Sequence, residues 1–225
     1  MGLSAGKRAS AEISYHRIVT TPGQGRAEDI ITMYEDDGTA TRACRVYRNY
    51  MEGTYRDAYL DDTTTGTAIN ADADADGDAA TTDADFPQYG ICEENVATGG
   101  AAINVAVGRH MRVNCNTVVA VGRNRFDPRH RNGRAGTSFF NDIRSPLYVD
   151  NSGDGNRILW PSDEAPVGGA TPYSTVRRDV DQGAAFLTGT VALSLAYDVA
   201  EKAVHDEYMQ LLASSNVTLG PSWRP

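Results

Sequence analysis

Short runs of alternating apolar and polar residues dominate the chain, and they predict a protein made mainly of β-strands. A period of two places successive side chains on opposite faces of a strand. The runs lie at 13–19, 30–34, 43–50, 101–107, 111–115, 118–121 and 190–199. In the run at 190–199, the large apolar residues that share one face are Val191, Leu193, Leu195, Tyr197 and Val199. We expect that face to point into the core.

Turn signals and one helical stripe complete the predicted elements. The sequence Asp36-Asp37-Gly38 follows the run at 30–34, so that 30–50 predicts a β-hairpin. One helix is expected over 200–214 and should pack on a sheet. Its apolar residues follow a period of 3.6 and are Val204, Tyr208, Leu211 and Leu212.

The connections between these elements are long. The segment 61–87 is rich in Thr, Ala and Asp, 123–134 is rich in Arg, and 148–181 contains one short strand pattern. Long loops between short strands favour a jelly roll, or another β-sandwich or β-barrel, with one C-terminal helix. No sequence repeat and no linker is apparent, so we expect a single β-rich domain over 1–225 with a protruding acidic loop at 61–87.

The charged residues indicate adaptation to very high salt. The net charge is −9, the acids are 21 Asp and nine Glu, and the bases are 19 Arg and two Lys. Short carboxylates retain a dense hydration shell, and molar salt screens their repulsion within about 3 Å. Arg keeps its charge and forms planar, bidentate pairs where a Lys would be mobile. The composition therefore predicts a halophilic protein.

One acidic segment has the oxygen spacing of a calcium loop. Counting Asp72 as position 1, carboxylates fall at positions 1, 3, 5, 7 and 12, and Gly77 occupies position 6. Alternating short carboxylates can surround one cation, and Gly permits the sharp bend. The candidate ligands of Ca²⁺ or Mg²⁺ are Asp72, Asp74, Asp76, Asp78 and Asp83. The alternative is an acidic low-complexity loop without a ligand, since position 12 is Asp rather than Glu.

Basic residues concentrate in a different segment and indicate contacts between subunits. Seven Arg lie between positions 109 and 134, opposed by one Asp. Aromatic interleaving is poor, so specific nucleic-acid recognition is not expected. The candidate interface residues are Arg123, Arg125, Arg129, Arg131 and Arg134. A solvated basic loop is the alternative.

The three cysteines lack the spacing of a zinc site. Cys44 and Cys115 share strand parity with apolar neighbours, so we expect both to be buried free thiols. Cys92 lies in a polar stretch and is the candidate for an exposed thiol or a bridge between subunits.

Patterns typical of catalysis are missing from the sequence. The histidines do not fall in HExxH or HxH spacing, no Ser lies in GxSxG, and Gly23-Gln24-Gly25 lacks the third Gly of a dinucleotide loop. We therefore expect no enzymatic activity. No apolar run reaches the roughly 20 residues that a membrane helix needs, and no signal peptide is expected.

The size, the halophilic composition, the β-rich pattern and the late strand after Phe186 resemble structural proteins of haloarchaeal viruses, and most of all their single jelly-roll major capsid proteins. The resemblance implies a virion subunit that assembles in the host cytoplasm with copies of itself and other virion proteins, forming a capsid shell. Three alternatives stay open: a tail-tube or neck subunit of a tailed haloarchaeal virus, a calcium-dependent binding or adhesion module, and an enzyme whose acidic catalytic residues no motif marks.

Overall fold

The computed structural model of the chain contains three parallel sheets, and the chain coils through them in turn. The described residues are 2–3, 11–20, 29–34, 36–53, 67–72, 86–98, 103–119, 137–139, 146–161, 187–188 and 191–217. Within them, every pairing between strands is parallel. The chain visits sheet A, then sheet B, then sheet C, and then begins again one strand further on.

Each circuit of the three sheets forms one rung. Rung 1 contains β1 (Gly2–Leu3), β2 (Glu12–Ser14) and β3 (Arg17–Val19). Rung 2 contains β4 (Asp29–Tyr34), β5 (Cys44–Tyr47) and β6 (Tyr50–Glu52). Rung 3 contains β7 (Thr67–Asp72), β8 (Gly90–Glu93) and β9 (Val96–Thr98). Rung 4 contains β10 (Ile103–Val105), β11 (Arg112–Asn114) and β12 (Thr117–Val119). Rung 5 contains β13 (Thr137–Phe139), β14 (Ser152–Asp154) and β15 (Arg157–Pro161), and rung 6 contains β16 (Leu187–Thr188) and β17 (Val191–Leu195).

This arrangement is a three-faced parallel β-solenoid, in which each rung contacts its neighbours. The mainly β composition and the C-terminal helix are confirmed. The parallel pairing differs from a jelly roll or β-sandwich, whose sheets are antiparallel. The expected hairpin over 30–50 is wrong, because β4 belongs to sheet A and β5 to sheet B.

Stacked apolar side chains fill the interior of the solenoid. Along sheet C the inward position of successive rungs holds Ile18, Met51, Ala97, Val118 and Ile158. Sheets A and B add their own inward columns, so one continuous core runs through the rungs. Removal of this apolar surface from water is the main stabilising contribution.

A repeated turn between sheets B and C positions a ladder of asparagines. In each turn one residue has a positive φ, and the next residue points inward. The ladder residues are Asn49, Asn95, Asn116 and Asn156, all buried. Each Oδ1 accepts the backbone N–H of the residue at the same place in the preceding rung, at 3.0–3.1 Å. The ladder therefore satisfies buried backbone donors that a turn would otherwise leave unpaired.

Helix α1 (Tyr197–Ser214) covers the outer face of sheet C. Ala200 and Val204 pack with Val119 and Leu159, whereas Tyr208 and Leu212 pack near Tyr50. The helix thus runs back from the last rungs towards the first. Its 18 residues span about 27 Å, close to the about 24 Å of six stacked strands.

The two ends of α1 are marked by the backbone. The predicted strand over 190–199 ends at Leu195, and the helix begins at Tyr197, three residues before the expected start. Its N-cap residue, Ala196, has an extended backbone with φ −61° and ψ 141°. At the other end Asn216 has φ 53°. Its N–H bonds Ala213 O at 3.3 Å and that of Val217 bonds Leu212 O at 3.0 Å, which is a Schellman ending.

Candidate interaction surface

Among the described parts of the three sheets, sheet B has the outer face with the fewest buried side chains. Helix α1 covers sheet C, and on the outer side of sheet A Ile30, Ala68, Asn70 and Asn104 are buried while Thr32, Tyr34 and Asp72 are half-buried. On sheet B the outward side chains are exposed or half-buried. They are Glu12, Ser14, Arg45, Tyr47, Ile91, Glu93, Arg112, Asn114, Ser152 and Asp154.

The turn beside this face adds a second set of outward residues. The turn residues with positive φ are Tyr15 (57°), Arg48 (52°), Glu94 (54°), Cys115 (54°) and Gly155 (63°). For a residue other than glycine this conformation costs about 1–2 kcal/mol. The asparagine ladder beneath the turns holds it in place, so Arg48 and Glu94 stack one above the other at the edge of the face.

Two arginines and two tyrosines form a packed network across rungs 1 and 2. The guanidinium of Arg45 lies 4.7 Å from the ring centroid of Tyr47, and that of Arg48 lies 5.7 Å from the ring of Tyr15. The two rings meet edge to face at 5.9 Å. Arg48 Nη1 donates to Tyr15 Oη at 2.6 Å.

Acidic side chains fix this network from both sides. Arg45 pairs with Glu93, and Arg48 pairs with Glu94, so both ion pairs join rung 2 to rung 3. Tyr47 Oη donates to Glu12 of rung 1. These bonds raise the pKa of Arg48, through Glu94 first and Tyr15 second, and the bond from Arg48 lowers the pKa of Tyr15. The side chains are therefore ordered before any partner arrives, which reduces the entropic cost of binding.

A second polar column follows the corner between sheets A and B. Tyr89 and His110 stack with centroids 4.5 Å apart, and His110 Nδ1 lies 3.3 Å from Asp150 Oδ2. All three residues have positive φ. Gln88 Oε1 accepts a hydrogen bond from Arg109 Nε at 3.1 Å, and Gln88 also donates to Asp37. This corner extends the polar surface of sheet B.

Asp72 is the one predicted cation ligand within the described residues. It ends β7, where its Oδ2 accepts a hydrogen bond from Asn70 Nδ2 at 3.2 Å. The same amide donates to Asp29 Oδ2 at 3.2 Å. The other four predicted ligands, Asp74, Asp76, Asp78 and Asp83, lie outside the described residues. Among the described residues, no group of three or more metal-binding side chains of Asp, Glu, His or Cys occurs.

Of the predicted interface residues, the structure describes Cys92 and does not describe the five arginines. Arg123, Arg125, Arg129, Arg131 and Arg134 all lie outside the described residues. Cys92 is 2% exposed, so the expected exposed thiol is wrong, and burial raises its pKa to about 12. Cys44 is buried as expected, but Cys115 is exposed because it takes the turn position with positive φ.

The sequence does contain a signal for the asparagine ladder that supports this surface. Each asparagine of the ladder follows an inward residue by three positions and precedes another inward residue by two. The matching segments are 46–51, 92–97, 113–118 and 153–158. Successive ladder residues are 46, 21 and 40 positions apart, so insertions of different length hide the repeat.

Comparisons of the chain with protein-family models, curated proteins and solved structures gave no match. Within the described residues, no helix combines the length and the apolar character needed to cross a membrane.

Proposed function

We propose that this chain is a structural subunit of a virion from a halophilic archaeal virus, assembled in the host cytoplasm with copies of itself and with other virion proteins. One observation carries the proposal: the ordered network of Tyr15, Tyr47, Arg45 and Arg48 on the exposed face of a stacked scaffold. Tyrosine and arginine are enriched at the centres of protein interfaces.

The scaffold suits a mechanical role. Its core is continuous through the rungs, and the asparagine ladder adds buried hydrogen bonds along the same axis. Load along that axis is shared by parallel ladders in three sheets. The charge of −9 with 19 Arg and two Lys supports a setting of very high salt.

The position in the particle is proposed only at the level of a virion structural protein. The capsid-shell expectation was based on a jelly-roll barrel, and the tail-tube alternative on a β-barrel with a packed helix. The stacked parallel strands supply no such barrel, so the proposal depends on composition and on the exposed face.

Hydrodynamic measurements on purified protein in molar KCl test the proposal. We expect sedimentation velocity and light scattering to show concentration-dependent association, or association with another protein of the source particle. Tyr47→Ala should weaken it, because the ring joins Arg45 to Tyr15. Asp154→Ala, at the same register position three rungs further on, is the matched control. A native protein that stays monomeric at every concentration and binds no particle protein would refute the proposal.

A cation-dependent adhesion module is the second candidate. It is favoured by Asp72, whose carboxylate shares the amide of Asn70 with Asp29 at the end of β7. Two carboxylates on one amide group form part of an oxygen-rich site. Under this candidate Ca²⁺ raises the melting temperature of the native protein, and Asp72→Ala removes the increase while Asp154→Ala keeps it.

A further inference from the structure

Charge alternates from rung to rung on the outer face of sheet B and its adjoining turn. Rung 1 presents Glu12, rung 2 presents Arg45 and Arg48, and rung 3 presents Glu93 and Glu94. The alternation continues with Arg112 on rung 4 and Asp154 on rung 5. Successive rungs are about 4.8 Å apart, so the face carries stripes of opposite sign across the solenoid axis.

We propose that this face docks on the same face of a second copy of the chain, related by a two-fold axis that runs parallel to the strands and passes between rungs 2 and 3. The inference rests on the proposed function and names the partner of the same surface. A two-fold axis makes the interface self-complementary, so the same residues serve both copies.

The two-fold rotation brings opposite charges together at two pairs of positions, and it sets Arg45 against Ile91 and Tyr47 against Glu93 of the second copy. It preserves position along the strand and exchanges rung 2 with rung 3 and rung 1 with rung 4. Arg48 then faces Glu94 of the second copy, since both occupy the turn position after their strand. Glu12 faces Arg112 of the second copy, because the ladder aligns both with Arg45 and Ile91.

Other face-to-face alignments are disfavoured by the same stripes. A two-fold axis along the solenoid sets each rung against the equivalent rung of the second copy, so that Arg45 and Arg48 face the arginines of its rung 2. A transverse axis through rung 3 places Glu93 and Glu94 on themselves. Like charges set against each other cost several kcal/mol when they are desolvated. The alternation therefore selects an axis that is parallel to the strands and passes between two rungs. Of these axes, the one between rungs 2 and 3 sets the turn residues Arg48 and Glu94 against each other.

Charge sets the geometry, but apolar contacts must supply much of the affinity. An exposed ion pair contributes about 0–1 kcal/mol, and in 1 M salt the screening length is about 3 Å. Tyr47 and the half-buried Ile91 lie within the docked rungs and provide aromatic and aliphatic surface. The Arg45–Glu93 and Arg48–Glu94 pairs already order the charged groups before docking.

Two charge-reversed variants separate contacts between copies from those within one copy. The acidic variant carries Arg45→Glu and Arg48→Glu, and the basic variant carries Glu93→Arg and Glu94→Arg. In each variant alone, rung 2 of one copy meets rung 3 of the other with the same sign, so we expect dimerisation to weaken by at least about tenfold. An equimolar mixture should restore dimers that contain one copy of each, because unlike rungs then face each other.

Two further variants control for folding and for location. The fourfold exchange Arg45→Glu, Arg48→Glu, Glu93→Arg and Glu94→Arg restores the pairs both within and between copies, and should dimerise like the native chain. Asp154→Arg alters rung 5, which lies beyond the docked rungs, and should leave dimerisation unchanged. Circular dichroism in molar KCl checks that each variant is folded.

Native mass spectrometry and sedimentation velocity decide the outcome. Dimers of mixed composition in the mixture, with weak association of each variant alone, support the docking face. If the native chain associates and neither variant weakens it, or if the folded variants do not pair when mixed, this face is wrong while the proposed function stands. A native chain that is monomeric at every concentration but binds another particle protein also rejects self-docking alone.

Discussion

The Oδ1 atom of Asn95 accepts two hydrogen bonds from Asn49, one from the backbone N–H at 3.1 Å and one from Nδ2 at 3.0 Å. Asn95 Nδ2 in turn donates to Val46 O at 2.8 Å and to Asn116 Oδ1 at 3.0 Å. One buried side chain thus joins three rungs and holds the turn whose outward residue is Glu94. The exposed network on sheet B therefore depends on a buried polar column directly behind it.

Removal of that side chain should destabilise the solenoid. Asn95→Ala leaves the buried N–H of Asn49 without its acceptor and removes the Nδ2 donor to Val46 O and Asn116 Oδ1. Asn116 Oδ1 keeps the backbone N–H of residue 95, and each buried group left without a partner costs about 1–3 kcal/mol. We expect the free energy of unfolding, measured by denaturant titration in molar KCl, to fall by a few kcal/mol. Asn114→Ala, on the outward side of β11 in the next rung, should cost much less. Equal effects at both positions would contradict the structural role of the ladder.

The buried face of helix α1 should contribute much more stability than its outer face. Leu212 is 3% exposed and packs near Tyr50 and Tyr208, whereas Met209 is 40% exposed. Leu212→Ala should reduce the free energy of unfolding by about 2–5 kcal/mol. Met209→Ala should change it by less than about 0.5 kcal/mol. Similar losses for the two variants would mean that α1 does not pack on sheet C as described.

The buried carboxyl of Asp36 should make stability depend on pH. Asp36 is 1% exposed, its Oδ1 accepts a hydrogen bond from Cys44 Sγ at 2.8 Å, and burial raises its pKa. Because the pKa of Asp36 is higher in the folded state, its protonated form contributes to the free energy of unfolding. That contribution is complete below the unfolded pKa of about 3.9 and is lost as pH rises through the folded pKa. Asp36→Asn keeps a neutral acceptor for Cys44 at every pH.

Thermal melts of the native protein and of Asp36→Asn, recorded between about pH 4 and pH 7, compare the stabilities of the two. The variant should gain stability relative to the native chain as pH rises from about 4 to 7. Glu12→Gln, at an exposed position of β2, controls for the general effect of removing one negative charge. A stability difference between Asp36→Asn and the native chain that is constant with pH would show that Asp36 is charged at no cost in the fold.

Salt removal should destabilise the whole molecule. With a net charge of −9, repulsion among the acids extends over about 30 Å at 0.01 M salt and over about 3 Å at 1 M. We expect the melting temperature to fall steeply between molar and millimolar KCl. Equal melting temperatures in the two conditions would contradict the assignment to a high-salt setting. Sucrose at matched osmolarity controls for solute exclusion.

Parity within a strand is local, so the sequence predicted it correctly in several places. Cys44 and Val46 point inward while Arg45 and Tyr47 point outward, as their alternation indicates. Of the predicted helical stripe, Val204, Tyr208 and Leu212 are buried and Leu211 is half-buried. Parity fails at Cys115, because this residue takes the turn position with positive φ, where the chain bends from β11 of sheet B to β12 of sheet C.

By itself, the sequence determined the class of secondary structure, the inward faces of β5, β10 and β11, the C-terminal helix and the high-salt composition, since each follows from neighbouring residues or from residue counts. The tertiary structure decided which strands pair. A period of two fits a hairpin and a stacked rung equally well, and the hydrogen bonds that select the rungs join residues 21 to 46 positions apart. Only that stacking places Arg45 and Arg48 over Glu93 and Glu94, and so creates the alternating face of sheet B.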